Sequence, residues 1–272
     1  MGTLLNLTKE YFGNTERSED RISLDFDGGD KVKERSFADK NGKFHEKGYY
    51  IDEKDSQTAN DILAKLINKA VEKRGCECDL NDIDVSNIKS LSSIFTYVPA
   101  VDCVIINPDV SGWDTSNVEN FKSCFYCLRK FDGDLSKWNV SKGTDFESMF
   151  LGCSEFKGKG LENWKINTDE HTFVKMKSMF AHCDDFNGDI RNWNVSRVVE
   201  MSHMFLNCKI FDRNLCKWDV SNVTNMKSMF QNCSLFKHNL SGWNVENVTN
   251  YIDFCIDSGI KKVSFFPKFK YL

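Results

Sequence analysis

A recurring tryptophan constrains the fold of this sequence more than any other feature. Successive tryptophans follow one another at intervals of 25, 26, 29, 25 and 25 residues. Each opens the same motif, which reads W-D-V-S-N-V-T-N-M-K-S-M-F-Q-N-C in the unit that begins at Trp218. A fixed period in the range of about 20 to 50 residues is typical of stacked-repeat proteins. One such unit buries too little surface to offset a backbone entropy cost of roughly 1 to 2 kcal/mol per residue, so the units must pack against each other.

The periodicity within a unit predicts a helix followed by a strand. Apolar residues recur at steps of three or four, as in Val223, Met226, Met229, Phe230 and Cys233. That spacing places them on one face of a short helix. Trp243 and Val245 then alternate with polar neighbours, as in a short strand. The predicted fold class is an α/β repeat solenoid of the leucine-rich-repeat-like kind, with one short helix and one short strand per repeat, a small N-terminal β-rich module and a capping helix.

Alignment of the units predicts two buried rows of phenylalanine. The first row is Phe95, Phe125, Phe150, Phe180, Phe205 and Phe230. The second is Phe131, Phe156, Phe186, Phe211 and Phe236. Seven of the eight methionines lie in the predicted apolar stripe, so we interpret them as core residues.

The chain divides into four predicted parts. These are a small β-meander module (1–55), a capping helix (56–78), a repeat solenoid of about seven repeats (79–260) and a C-terminal cap or tail (261–272). Two turn signals support the β-meander, one at residues 27–30 and one at Asn41–Gly42, a pair that favours a type I′ turn. The helix is predicted over residues 58–74, with Ser56 or Thr58 as its N-cap.

Composition indicates which kinds of partner the protein binds and where in the cell it is expected. A net charge of −4 and a pI of about 5.8 give no electrostatic reason to expect nucleic-acid binding. No stretch reaches 18 apolar residues, and the apolar run near the N-terminus is too short for a signal peptide. We therefore expect a cytoplasmic monomer that does not insert into membranes and whose partner is a protein.

The cysteines permit two interpretations. Cys153, Cys183, Cys208 and Cys233 share one repeat position, which suits either small buried core residues or a ladder of disulfides between neighbouring units. Without an export signal, reduced core cysteines are favoured. Cys124 and Cys127 form a C-x-x-C without the second pair that zinc requires. Cys76 and Cys78 are the expected exposed thiols.

No set of residues with catalytic chemistry recurs at a fixed position in the repeat. The five histidines occupy unrelated repeat positions, and no phosphate-binding G-x-x-x-x-G-K motif occurs. We expect no catalytic residues, no cofactor and no metal, hence no enzyme. The Asn-x-Ser/Thr triplets at Asn139, Asn194, Asn222 and Asn247 recur with the repeat, so we expect these side chains to bond backbone between units rather than to carry glycans.

The residue after each tryptophan is the candidate partner-binding position. If the tryptophan and the residue two positions later point inward, the residue between them points outward. These outward residues are Asp114, Asn139, Lys165, Asn194, Asp219 and Asn244. They predict a polar stripe along the stack, either as a binding surface or as a solvated edge.

The repeat also resembles a known family. The motif from Trp218 to Cys233, with its F-x-x-N-L-S-G-W return, resembles the repeat of the BspA-like leucine-rich-repeat surface proteins, which includes the mycoplasma-lipoprotein type. The lead-in D-L-N-D-I-D-V-S-N-I at residues 79–88 resembles the first repeat of its bacterial members. The resemblance implies a leucine-rich-repeat-like solenoid with a binding role, in several members adhesion to host proteins. The expected function is a non-catalytic protein-binding repeat scaffold, with a surface-exposed or secreted adhesin as the alternative.

Overall fold

The computed structural model of the chain describes residues 31–95 and 105–270. The first predicted turn, at residues 27–30, lies outside that part. The described elements are β1 (Val32–Ala38), β2 (Phe44–Ile51), α1 (Ser56–Arg74), β3 (Ile83–Asp84), a 3-10 turn (Leu161–Asn163), β4 (Val174–Lys175), β5 (Val198–Glu200) and a second 3-10 turn (Val263–Phe265).

The second predicted hairpin is confirmed. β1 and β2 pair antiparallel, and β2 also pairs in parallel with β3, with Tyr49 opposite Ile83. The turn between β1 and β2 is not of type I′, because that type needs a positive φ at both central residues and only Gly42 has one. The N–H of Gly42 instead closes a turn on the carbonyl of Asp39 at 2.9 Å.

Helix α1 is confirmed, with a different N-cap from the one expected. The side chain of Asp55, rather than of Ser56 or Thr58, accepts the N–H of Thr58 at 2.8 Å. The buried face of α1 packs into the same hydrophobic core as the repeats, and Asn60 Nδ2 donates to the carbonyl of Ser92 at 2.9 Å. No helix in the described part of the chain is both long and apolar enough to cross a bilayer.

The expected α/β repeat solenoid is wrong. In the described residues of the repeat region the backbone consists mostly of turns and irregular segments, with strands of only two or three residues and no α-helix. The segment predicted to be helical contains two left-handed residues per unit, such as Ser228 (φ 52°) and Asn232 (φ 61°). A right-handed helix does not continue through such residues. The expected strand at Trp243 is also absent.

Hydrogen bonding explains why the apolar residues recur at helix-like spacing although no helix forms. Steps of three arise from turns, in which the N–H of Met229 bonds to the carbonyl of Met226 at 3.2 Å and Cys233 bonds to Phe230 at 3.1 Å. The amides of every second residue from 226 to 232 donate to the next unit instead. Those of Met226, Ser228, Phe230 and Asn232 bond to the carbonyls of Asn250, Ile252, Phe254 and Ile256. The apolar stripe therefore faces inward without any helix.

Successive units lie side by side in chain order. One residue per unit forms a parallel bridge or ladder pair with its counterpart in the next unit, through Ser90, Asn120, Asp145, Lys175, Glu200, Asn225 and Asn250. We call the residues at one repeat position a row. Polar rows fix the turns, because Asp or Asn side chains accept the N–H two residues later, as Asn225 does from Lys227 at 3.1 Å.

Both predicted phenylalanine rows are confirmed as stacked and buried. Phe150 and Phe180 stack with ring centroids 5.6 Å apart, and Phe180 and Phe205 follow at 5.8 Å. Each indole N–H donates to a carbonyl of the preceding unit, as Trp193 Nε1 does to Leu161 at 2.8 Å. The phenylalanine rings of the repeat core thus stack on those of the neighbouring units, and the indole N–H groups find their acceptors there.

The cysteine row is reduced and buried. Cys153, Cys183, Cys208 and Cys233 are free, and each thiol donates to a phenylalanine carbonyl of the preceding unit at 2.8 to 2.9 Å. Burial raises the pKa of all four thiols, that of Cys233 to about 12. Of the two thiols expected to be exposed, Cys76 is half-buried and Cys78 is buried, whereas Cys216 is exposed.

The C-terminal segment packs on the last unit. Phe269 stacks on Tyr251 at 4.3 Å, and the N–H of Leu240 donates to the carbonyl of Phe265 at 2.8 Å. The described hairpin, helix and repeats share one hydrophobic core. The division into four parts stays a prediction.

Candidate functional site

The predicted stripe points outward as expected, and most of its side chains also shape the backbone. Asn139, Lys165, Asn194, Asp219 and Asn244 are exposed between buried neighbours, and Asp114 is half-buried. The side-chain oxygens of Asp114, Asn139, Asn194, Asp219 and Asn244 accept the N–H two residues later at 3.0 to 3.1 Å. These bonds account for Asp and Asn at this position without a partner. Lys165 makes no such bond, and the role of the stripe in binding stays a prediction.

The four recurring Asn-x-Ser/Thr asparagines divide into two structural roles. Asn222 Nδ2 and Asn247 Nδ2 donate to the carbonyls of Ser196 and Ser221 in the preceding unit, each at 2.7 Å, which confirms the expected bonding between units. Asn139 and Asn194 instead hold the local turns of the stripe.

A groove of about 530 Å³ lies on a different set of rows. It spans four neighbouring units along the row Cys127, Gly152, His182 and Asn207. A parallel row supplies one wall with Arg129, Ser154, Asp184 and Lys209, and Leu151 contributes an apolar surface. The backbone beneath is held between units, for example by the N–H of Gly152, which donates to the carbonyl of Ala181 at 2.8 Å.

A glycine opens the groove. The row that carries a side chain at Cys127, His182 and Asn207 has none at Gly152, so a notch separates the thiol from the imidazole. Gly152 has a φ of 79°, and an added Cβ would lie 3.2 Å from Cys127 Sγ. The notch therefore follows from one residue type at one repeat position.

The polar groups of the groove are partly satisfied by each other. Asn207 Nδ2 donates to His182 Nδ1 at 3.2 Å, and Asn232 Nδ2 donates to Asn207 Oδ1 at 2.6 Å. Lys209 Nζ pairs with Asp184 Oδ2 at 2.9 Å. Arg129 is exposed, and no carboxylate of the described residues lies within ion-pair distance of it. Two cations face one carboxylate, so the groove carries a net positive charge.

An apolar row runs beside the notch. Tyr126 is 38% exposed, Leu151 and Leu206 are half-buried, and Ala181 between them is buried. Half-buried apolar side chains next to polar groups suit the binding of a ligand that has both kinds of surface.

The titratable and thiol side chains near the groove were compared with the requirements of a metal site. In the part of the chain that the structure describes, no group of three His, Cys, Asp or Glu side chains is placed to hold a metal ion. Of the C-x-x-C pair, Cys124 is buried in the core and Cys127 is half-buried at the groove. Asp39 and His45 form a buried pair at 3.1 Å, but they lie in the hairpin and not among the groove residues.

The groove was not predicted from the sequence. The signal was present at Gly152, where the aligned units have Cys127, His182, Asn207 and Asn232. Because the stretch was interpreted as helical, that row was not recognised as a line of left-handed residues on the surface.

The comparison with protein families matches most of the chain. A family model described as "Mycoplasma protein of unknown function, DUF285" matches residues 64–174 and again residues 167–262. The chain belongs to this family. The two matches run without a gap over the end of α1 and the repeat units, so the family model itself spans several units. No curated protein and no solved structure matches the chain.

Proposed function

We propose that this DUF285 member is a non-catalytic protein-binding repeat protein that holds an extended peptide segment of its partner in the groove at Gly152. The observation that supports this most is the form of the groove, which follows neighbouring units and combines half-buried Leu151 with the polar groups of the Gly152 and Ser154 rows. Extended surfaces across several units are the ones that repeat proteins use for partners.

The sequence resemblance supports the same class of function. The BspA-like surface proteins, whose repeat this one resembles, are binding proteins, and no catalytic residue is carried over from them. In this proposal the protein acts as a monomer, without cofactor or nucleic acid, in the cytoplasm. The alternative, a surface-exposed or secreted adhesin for host proteins, rests on the resemblance. Antibody labelling of intact cells of the native organism separates the two, since only the adhesin is reached from outside.

The test uses a phage-displayed library of random peptides selected on the full chain. We expect recovered peptides to lose at least roughly tenfold in affinity for the Leu151→Glu variant, because a charge then replaces the apolar contact surface. The matched control is Leu235→Glu, the same change at a leucine that is 51% exposed and does not line the groove. Fluorescence anisotropy with the recovered peptides measures both variants.

The predicted stripe supplies a second control. Lys165→Glu reverses a charge on the stripe at the one stripe residue whose side chain makes no hydrogen bond to the local turn. Peptides that bind the Leu151→Glu variant normally but lose affinity for Lys165→Glu would move the site from the groove to the stripe. Failure to select any peptide would contradict the peptide-binding function itself.

A further inference from the structure

The charges around the groove point to a chemical class of ligand. Lys209 already has a carboxylate partner in Asp184, whereas Arg129 has none among the described residues. Other guanidinium groups of the repeats have partners, since Arg191 pairs with a carboxylate and Arg197 and Arg213 donate to backbone carbonyls of the preceding unit. Arg129 is thus a guanidinium left unpaired at the rim of a groove, with a fork geometry that suits a carboxylate.

The notch beside it sets a size limit. Its walls are the Cys127 thiol, the His182 imidazole and the side chain of Leu151, and its floor is the backbone of Gly152. The next unit carries His182 at the same left-handed position, and the two units after it carry Asn207 and Asn232, whose side chains occupy the corresponding space. The space over Gly152 therefore suits a small side chain of a ligand.

We propose that the groove recognises an extended acidic peptide, with an Asp or Glu carboxylate on Arg129 and a small side chain over Gly152. This inference rests on the proposed function, since it names the ligand class of the same groove. The carboxylate supplies the charge that the groove lacks, and the notch favours a neighbouring residue without a bulky side chain.

The test uses bead-bound nonapeptide libraries that are random except for one fixed central residue, which is Glu, Gln or Lys. Fluorescently labelled full-length protein is applied, and the bound protein is measured. We expect the Glu library to bind roughly tenfold more protein than the Gln library, and the Lys library to bind least, as a charge-assisted bond to Arg129 requires. The Arg129→Glu variant, changed at an exposed side chain, is expected to reverse this order.

A second variant tests the notch. Gly152→Asn introduces the residue that the same row carries, in the same backbone conformation, at Asn207 and Asn232. We expect its melting temperature to fall by only a few degrees, because asparagine tolerates the left-handed region although its Cβ crowds Cys127 Sγ, and its binding to the Glu library to fall roughly tenfold. Equal binding to the Glu and Gln libraries would overturn the acidic ligand, and undiminished binding by Gly152→Asn would overturn the notch. If binding is charge-independent yet lost in Leu151→Glu, peptide binding stands and only this inference fails.

Discussion

Phe180→Ala is expected to lower the free energy of unfolding by about 3 to 5 kcal/mol, the usual loss for a buried aromatic truncated to alanine. Phe180 is fully buried and stacks on Phe150 at 5.6 Å, on Phe205 at 5.8 Å and on Phe186 at 4.0 Å. Its removal leaves a cavity that contacts three successive units. Urea denaturation followed by tryptophan fluorescence measures the loss, because the indoles are buried in the same core.

The matched control for this change is Phe44→Ala. Phe44 lies in β2 and is 63% exposed, so its truncation removes little buried surface. We expect a loss below about 1 kcal/mol there. Similar losses at Phe44 and Phe180 would contradict the stacked row.

Gly160→Ala is expected to destabilise the protein by about 3 kcal/mol. Gly160 has a φ of 91°, which costs an L-residue roughly 1 to 2 kcal/mol. An added Cβ would also lie 2.2 Å from the backbone N of Ser136, and relieving such an overlap costs about 1 to 3 kcal/mol. The neighbouring unit cannot yield by rotating a side chain, because the obstructing atoms belong to its backbone.

Gly242→Ala separates this clash from the general effect of replacing a glycine. An added Cβ at Gly242 meets no atom within 4 Å. The change there is expected to be neutral or to stabilise by up to about 1 kcal/mol, since it restricts the unfolded chain. Equal melting temperatures for Gly160→Ala and Gly242→Ala would contradict the close approach of the Gly160 backbone to the backbone of Ser136.

The core was predictable from the sequence, because the rows depend only on which residues recur. Phe180, Trp193 and Cys183 each lie buried beside their counterparts, as the alignment of the units predicted. Backbone conformation was not predictable in the same way. Turns closed by bonds between residues three apart place apolar side chains at nearly the same spacing as a helix, and only a left-handed residue such as Ser228 distinguishes them. Serine at that position gives no sequence signal for a positive φ.

The candidate site shows the same limit. The outward direction of Asn139 and Lys165 followed from alternation, and the structure agrees. The groove depends on what the next unit presents at Gly152 and on which charges pair across units, as Lys209 and Asp184 do. Those pairings require the register between units, which the repeat period alone does not provide.

Amide hydrogen exchange tests most directly the central claim that each unit is held by the next one. The amides of Met226, Ser228, Phe230 and Asn232 donate to the final unit. The matching amides of the final unit, Tyr251, Asp253, Cys255 and Asp257, have no backbone acceptor within the described part of the chain. We expect the first set to exchange orders of magnitude more slowly than the second, close to the rate set by global unfolding. Equal protection of the two sets, as helices within each unit would give, would contradict it.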